Sequence, residues 1–77
     1  MKNLLPGSSG EDVRLLQQRL KDFGFYEGDT TGEFDEKTEA AVRYFQDNRQ
    51  LAADGLVGLI TLHELDLLRS ASTDKQI

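Results

Sequence analysis

The chain has 77 residues, 38% of them hydrophobic, with no cysteine and a single histidine. That is enough for one small core and no second domain, and stability cannot draw on a disulfide or a thiolate metal site. Fourteen acidic against nine basic side chains leave a formal charge of −5, which opposes a generic grip on nucleic acid or another polyanion.

No apolar run approaches the ~20 residues of a membrane span, and the run at positions 1–6 is far too short for a secretory signal. The expectation is a soluble monomer, with no signal peptide in this chain and neither nucleic acid nor membrane insertion in its role. In chain order, Leu4-Leu5-Pro6-Gly7 is an apolar pair followed by a turn, prolonged by Ser8-Ser9-Gly10. A first helix is predicted over about 10–23. Ser9 and Asp12 have capping-box spacing, Glu11 and Asp12 suit the positive end of the helix dipole, and Val13, Leu16, Leu20 and Phe23 form one apolar stripe. Gly24 is a stop. Glu27-Gly28-Asp29-Thr30-Thr31-Gly32 is dense in turn formers and reads as a loop. A second helix is predicted over 35–48, capped by Asp35, with Thr38, Ala41, Val42 and Phe45 facing inward. Leu51–Gly58 is again a loop. A third helix is predicted over 59–69 with Thr61, Leu62, Leu65 and Leu68 as its buried stripe, and 70–77 is predicted to be a flexible tail.

The two loop-to-helix junctions repeat. Gly32-x-Phe34-Asp35-x-x-Thr38 matches Gly55-x-Val57-Gly58-x-x-Thr61 at a period of 23 residues. Each copy has a Gly for the tight turn, an apolar plug two places later, a small or capping residue to open the helix and a Thr in its first turn. Every repeated position has a structural reason, so the repeat is read as encoding fold rather than binding.

A longer pattern runs through these elements. It comprises Gly7-x-x-Gly10-x-Asp12-Val13-x-x-Leu16-Gln17-x-x-Leu20-x-x-x-Gly24-Phe25, then Gly32-x-Phe34-x-x-x-Thr38-x-x-Ala41-Val42-x-x-Phe45-Gln46, then Leu51-x-x-Asp54-Gly55-x-Val57-Gly58-x-x-Thr61-x-x-x-Leu65. In this order the residues resemble the small three-helix peptidoglycan-binding domain attached to bacterial and phage cell-wall hydrolases. Thr31 stands where that family usually has Asp, Asp35 replaces a second Gly, and Gln50 replaces a Gly that normally ends the second helix. None of these removes a core position.

The resemblance implies an all-α, compact three-helix bundle with two Gly-containing loops, occupying 1–69. It also implies a noncatalytic module that needs no cofactor, binds peptidoglycan through glycan or stem peptide, and tethers a linked wall hydrolase at the cell wall, outside the cytoplasm. The alternative is a protein-docking module on the same fold, because an acidic surface with Leu15 outside the apolar stripe suits a basic partner. A kinship with the metalloprotease propeptide is disfavoured, since the inhibitory Cys of that family is missing.

The residues themselves offer little chemistry. His63-Glu64 opens like a zinc-protease motif, but Leu67 stands where the second His belongs, so His63 reads as a surface residue. No serine has a histidine base at a plausible position, and a bundle this small lacks a cleft for paired carboxylates. A calcium loop over 27–38 would place Glu27, Asp29, Thr31 and Asp35 at ligand positions, yet Thr38 falls where a bidentate Glu is required. For binding, Phe23, Phe25, Phe34 and Phe45 are expected in the core. Tyr26 and Tyr44 lie off the stripes and are expected to present ring faces. With Asp29, Gln46 and Asp54 they make up the candidate ligand-binding set. Gln17 and Gln46 also fit amides that brace loops, and Asp54 fits a turn residue.

Overall fold

The computed structural model describes residues 3–67. Three helices follow one another: α1, Glu11–Asp22; α2, Glu36–Asn48; and α3, Leu59–Glu64. Among the described residues there is no strand, only isolated bridges joining Leu4 to Val57 and Ser9 to Glu33. This is the expected all-α, three-helix architecture.

Each helix buries the stripe its periodicity predicts: Val13, Leu16 and Leu20 on α1; Thr38, Ala41, Val42 and Phe45 on α2; Thr61 and Leu62 on α3, followed by buried Leu65. The repeated plugs Phe34 and Val57 are 4% and 0% exposed, so both copies of the repeat do the same structural work. Phe45 sits at the centre, with Phe23 stacked on it at 5.8 Å and Phe25 meeting it edge-on at 5.5 Å. Phe23 nevertheless remains 38% exposed, contrary to the expected burial. It lies at the C-cap of α1, where its outer side meets Arg49, whose guanidinium carbon is 5.6 Å from the Phe23 centroid and 5.2 Å from that of Phe45.

The helix ends are built alike. At α1, the Phe25 N–H donates to the Leu20 carbonyl at 2.8 Å and the Gly24 N–H to Lys21 at 3.0 Å. At α2, Leu51 donates to Gln46 and Gln50 to Asp47, at 2.8 and 3.1 Å; at α3, Leu67 donates to Leu62 and Asp66 to His63, at 2.9 and 3.0 Å. This paired pattern requires a left-handed residue after the helix, supplied by Gly24 at φ 88°, Gln50 at φ 63° and Asp66 at φ 65°. The same motif closes α3 after Glu64, short of the predicted 69. Leu68 and the predicted tail lie outside the described residues.

The helix starts differ from one another. Asp35 caps α2 as expected, its Oδ1 accepting from the Thr38 N–H at 3.0 Å. The Ser9 capping box does not form, because Gly10 is the N-cap of α1 and makes no side-chain cap bond. Backbone pairing takes precedence there: Gly10 N–H donates to the Gly32 carbonyl at 2.8 Å, and Phe34 N–H to Ser8 at 2.9 Å. Farther back, Leu4 and Val57 exchange two bonds of 2.9 and 2.7 Å. Residues 4–10 thus stitch both repeat loops together.

Candidate functional site

Two buried glutamines shape the surface from within. Gln17 is 0% exposed; its Oε1 accepts the Gly32 N–H at 2.8 Å, and its Nε2 faces the Glu33 carbonyl at 3.0 Å, Thr38 Oγ1 at 2.9 Å and Thr31 Oγ1 at 3.3 Å. Gln46, 1% exposed, repeats this on the second loop. Its Oε1 accepts from Gly55 at 3.0 Å, and its Nε2 faces the Leu56 carbonyl at 2.8 Å, Thr61 Oγ1 at 3.1 Å and Asp54 Oδ1 at 3.3 Å. A backbone N–H can only donate and a carbonyl can only accept, so each amide has one permissible orientation. Gln46 is therefore a brace with its polar atoms occupied by the second loop. Asp54 is exposed, but its carboxylate closes a turn by accepting the Leu56 N–H at 2.9 Å.

With the loops held, an open groove of about 620 Å³ forms between the 24–28 segment and one side of α2. Lys37, Ala40 and Tyr44 line the helix side, at spacings of three and four that put them on one face, flanking the core stripe. Glu27 and Gly28 line the loop side. Tyr44 is 69% exposed on the rim, as expected, and a second concavity of about 390 Å³, lined by Arg43, Asp47 and Ala53, lies on its other side.

Tyr26 departs from expectation. It lines the same groove, but its side chain is only 5% exposed, and its hydroxyl donates to the Asp29 carbonyl at 2.8 Å. The ring folds back across its own loop, which explains Gly28: a Cβ there would lie 2.8 Å from the Tyr26 hydroxyl oxygen. Tyr26 is thus a wall that sets the loop's shape. Asp29 is exposed at the end of that wall. Of the five candidate residues, Tyr26, Asp29 and Tyr44 gather around the groove or its loop, while Gln46 and Asp54 belong to the second loop.

Sequence reasoning does not mark Lys37, Ala40, Glu27 and Gly28 as groove residues. The signal that could have found Lys37 and Ala40 is the 37, 40, 44 spacing, a second periodic face beside the core stripe; no spacing marks Glu27 and Gly28. Leu56, Leu59 and Ile60, 49%, 69% and 65% exposed, form an apolar surface that sequence reasoning also misses; Leu15, at 42%, is exposed as expected. His63 is likewise on the surface.

Electrostatically, Asp35 stands out. The Thr38 backbone N–H and then the Thr38 hydroxyl, which donates at 2.9 Å, hold its carboxyl below the usual carboxylate range, and Lys37 acts in the same direction. Among the described residues, no group of three or more His, Cys, Asp or Glu side chains is placed to hold a metal ion. In the 27–38 loop, Thr31 accepts bonds from Gln17 and from the Glu33 N–H, and Asp35 caps α2.

Three short helices, two amide-braced loops and an open groove define a small binding-module fold. The chain belongs to a known family of such modules: the profile of the putative peptidoglycan binding domain matches residues 9–65. It is 46% identical over 61 residues to the N-acetylmuramoyl-L-alanine amidase CwlM of Mycobacterium tuberculosis, covering 79% of this chain and 15% of that protein. It is 51% identical over 55 residues to the spore cortex-lytic enzyme of Bacillus cereus, covering 71% of this chain and 21% of the enzyme. The crystal structure of the SleB N-terminal domain matches with a TM-score of 0.83 at 45% identity, over 84% of this chain and 89% of that one. The Burkholderia AP3 phage endolysin matches with a TM-score of 0.82 at 35% identity, over 86% of this chain and 25% of the endolysin. The chain thus spans about a fifth or less of the length of these two curated relatives. No helix among the described residues is long and apolar enough to cross a membrane.

Proposed function

We propose that this protein is a noncatalytic anchor that holds peptidoglycan in the groove between α2 and the 24–28 loop, and that it concentrates a wall hydrolase, linked or partnered, on an insoluble substrate outside the cytoplasm. The observation that carries the reading is Tyr44: a large aromatic ring 69% exposed on the rim of a groove, in a family whose relatives include wall-lytic enzymes. An anchor needs no acid, base or nucleophile of its own. It acts by raising the effective concentration of an attached active site. Tyr26 and Asp29 shape the loop wall, and Tyr44 supplies an apolar ring face with a hydroxyl at its tip.

The test is sedimentation with purified insoluble peptidoglycan. The intact protein is expected to leave the supernatant, and Tyr44→Ala to weaken that depletion about tenfold, the equivalent of losing one well-placed aromatic contact. Recovery of all the protein in the supernatant across several wall types would overturn the reading and favour the docking module.

A further inference from the structure

Resting on the groove as the wall-binding site, we infer that it reads the stem peptide rather than the glycan, through Lys37 and Glu27 acting on opposite charges of one ligand. The two side chains line one groove, Lys37 from α2 and Glu27 from the loop. The ion pairs among the described residues are Arg14 with Glu11 and Arg43 with Glu39, so neither Lys37 nor Glu27 is in an ion pair with another described residue, and the charge felt by Lys37 from its own helix end is that of the capping Asp35.

A ligand that fills the groove takes water from both charges. A neutral sugar offers hydroxyls in exchange, which compensate a full charge poorly. A short peptide that carries carboxylates and a free ammonium, as the stem peptides of peptidoglycan do, replaces that water with charge-assisted hydrogen bonds on both sides. Lys37 then takes a carboxylate and Glu27 the ammonium.

The aromatic inventory points the same way. Sugar rings are gripped by exposed aromatic faces, and this groove has one, Tyr44, on its rim; Tyr26 is turned inward with its hydroxyl bonded to Asp29. Gly28 and Ala40 are small, leaving room for a peptide backbone between the walls. The overall charge of −5 disfavours a purely anionic ligand, so the ammonium of the stem peptide, placed on Glu27, is needed beside its carboxylates.

Three probes on the full chain separate the possibilities: intact sacculi, a neutral glycan of N-acetylglucosamine oligomers, and the tripeptide N-acetyl-L-Ala-γ-D-Glu-meso-diaminopimelate, whose one ammonium is that of diaminopimelate. In an amide NMR titration the tripeptide is expected to shift residues 27–28, 37 and 44, and the neutral glycan to leave them in place. Lys37→Met and Glu27→Gln are each expected to weaken tripeptide binding about tenfold. Acetylating the free ammonium should weaken binding to the intact protein similarly but add little in Glu27→Gln, because both changes remove the same contact. Both side chains are exposed, so the variants fold, as unchanged amide shifts away from the groove would verify. Sacculi bound, with the glycan shifting the groove and the tripeptide silent, would overturn the peptide assignment and leave the anchor reading standing. Additive effects of acetylation and Glu27→Gln would overturn the assignment in the same way. Failure of intact sacculi to bind would overturn both.

Discussion

At the scale of single residues, the two buried glutamines are the most consequential side chains outside the apolar core. Each joins a helix to a loop distant in sequence, Gln17 across 15 residues to Gly32 and Gln46 across 9 to Gly55. Gln17→Glu keeps the shape but buries a charge and sets a carboxylate oxygen against the Glu33 carbonyl, which can only accept. The expected loss is about 3 kcal/mol, a large share of the roughly 4–12 kcal/mol available to a chain of this size. Gln46→Glu should cost a similar amount, and a loss under about 1 kcal/mol in urea unfolding would contradict the bracing role. Asp35 gives a pH dependence. Because its folded pKa is lowered, the unfolded chain binds more protons in the window between the folded value and the ordinary value near 4. Its stabilising contribution is therefore full above that ordinary value and is lost as pH falls through the folded one. Asp35→Asn, which keeps a capping oxygen, should flatten this part of the acid limb in denaturant melts taken between about pH 2 and pH 6.

At the scale of elements, the shared helix ending makes one substitution stand out. Gln50 holds φ 63° at the position where Gly24 serves α1, and a side chain in that conformation costs about 1 kcal/mol or more relative to glycine. Gln50→Gly should therefore stabilise by about 1 kcal/mol, raising Tm by roughly 4–8 °C; no rise in a thermal melt would show that the αL strain is relieved otherwise. The repeat supplies a second test. Glu33, Glu36 and Lys37 in the first copy correspond to Leu56, Leu59 and Ile60 in the second, 23 residues on, and all six are exposed. The fold therefore accepts charge at these positions. The double variant Leu59→Glu, Ile60→Lys, which copies the first repeat, should alter unfolding stability by no more than about 0.5 kcal/mol. A larger loss would mean that these aliphatic side chains pack more than their exposure indicates.

At the scale of the whole molecule, the charge of −5 bears on how an anchor works. A polyelectrolyte grip would collapse with added salt, whereas short-range contacts in one groove are only partly screened. Binding to sacculi is expected to fall by no more than about threefold between about 0.05 and about 0.5 M NaCl. A fall of orders of magnitude in the sedimentation assay would point to counterion release and away from the groove.

Much of this protein was legible in its residues. Helical periodicity is a local property, so the stripes of α1 and α2, the Asp35 cap and the two plugs Phe34 and Val57 could be read from spacing alone, as could the break at Gly24. Tertiary structure decided what depends on distant pairing. Ser9 lost its capping role because residues 4–10 pair with both loops. Tyr26 turned inward because its hydroxyl found the Asp29 carbonyl, and Phe23 stayed half open where the helix ends. The groove itself required the 24–28 loop to be set against α2, which brings Glu27 and Lys37 to one groove. Periodicity reports which face of a helix is buried, but only the packed chain determines which loop lies beside the other face, because that choice rests on hydrogen bonds between residues far apart in sequence.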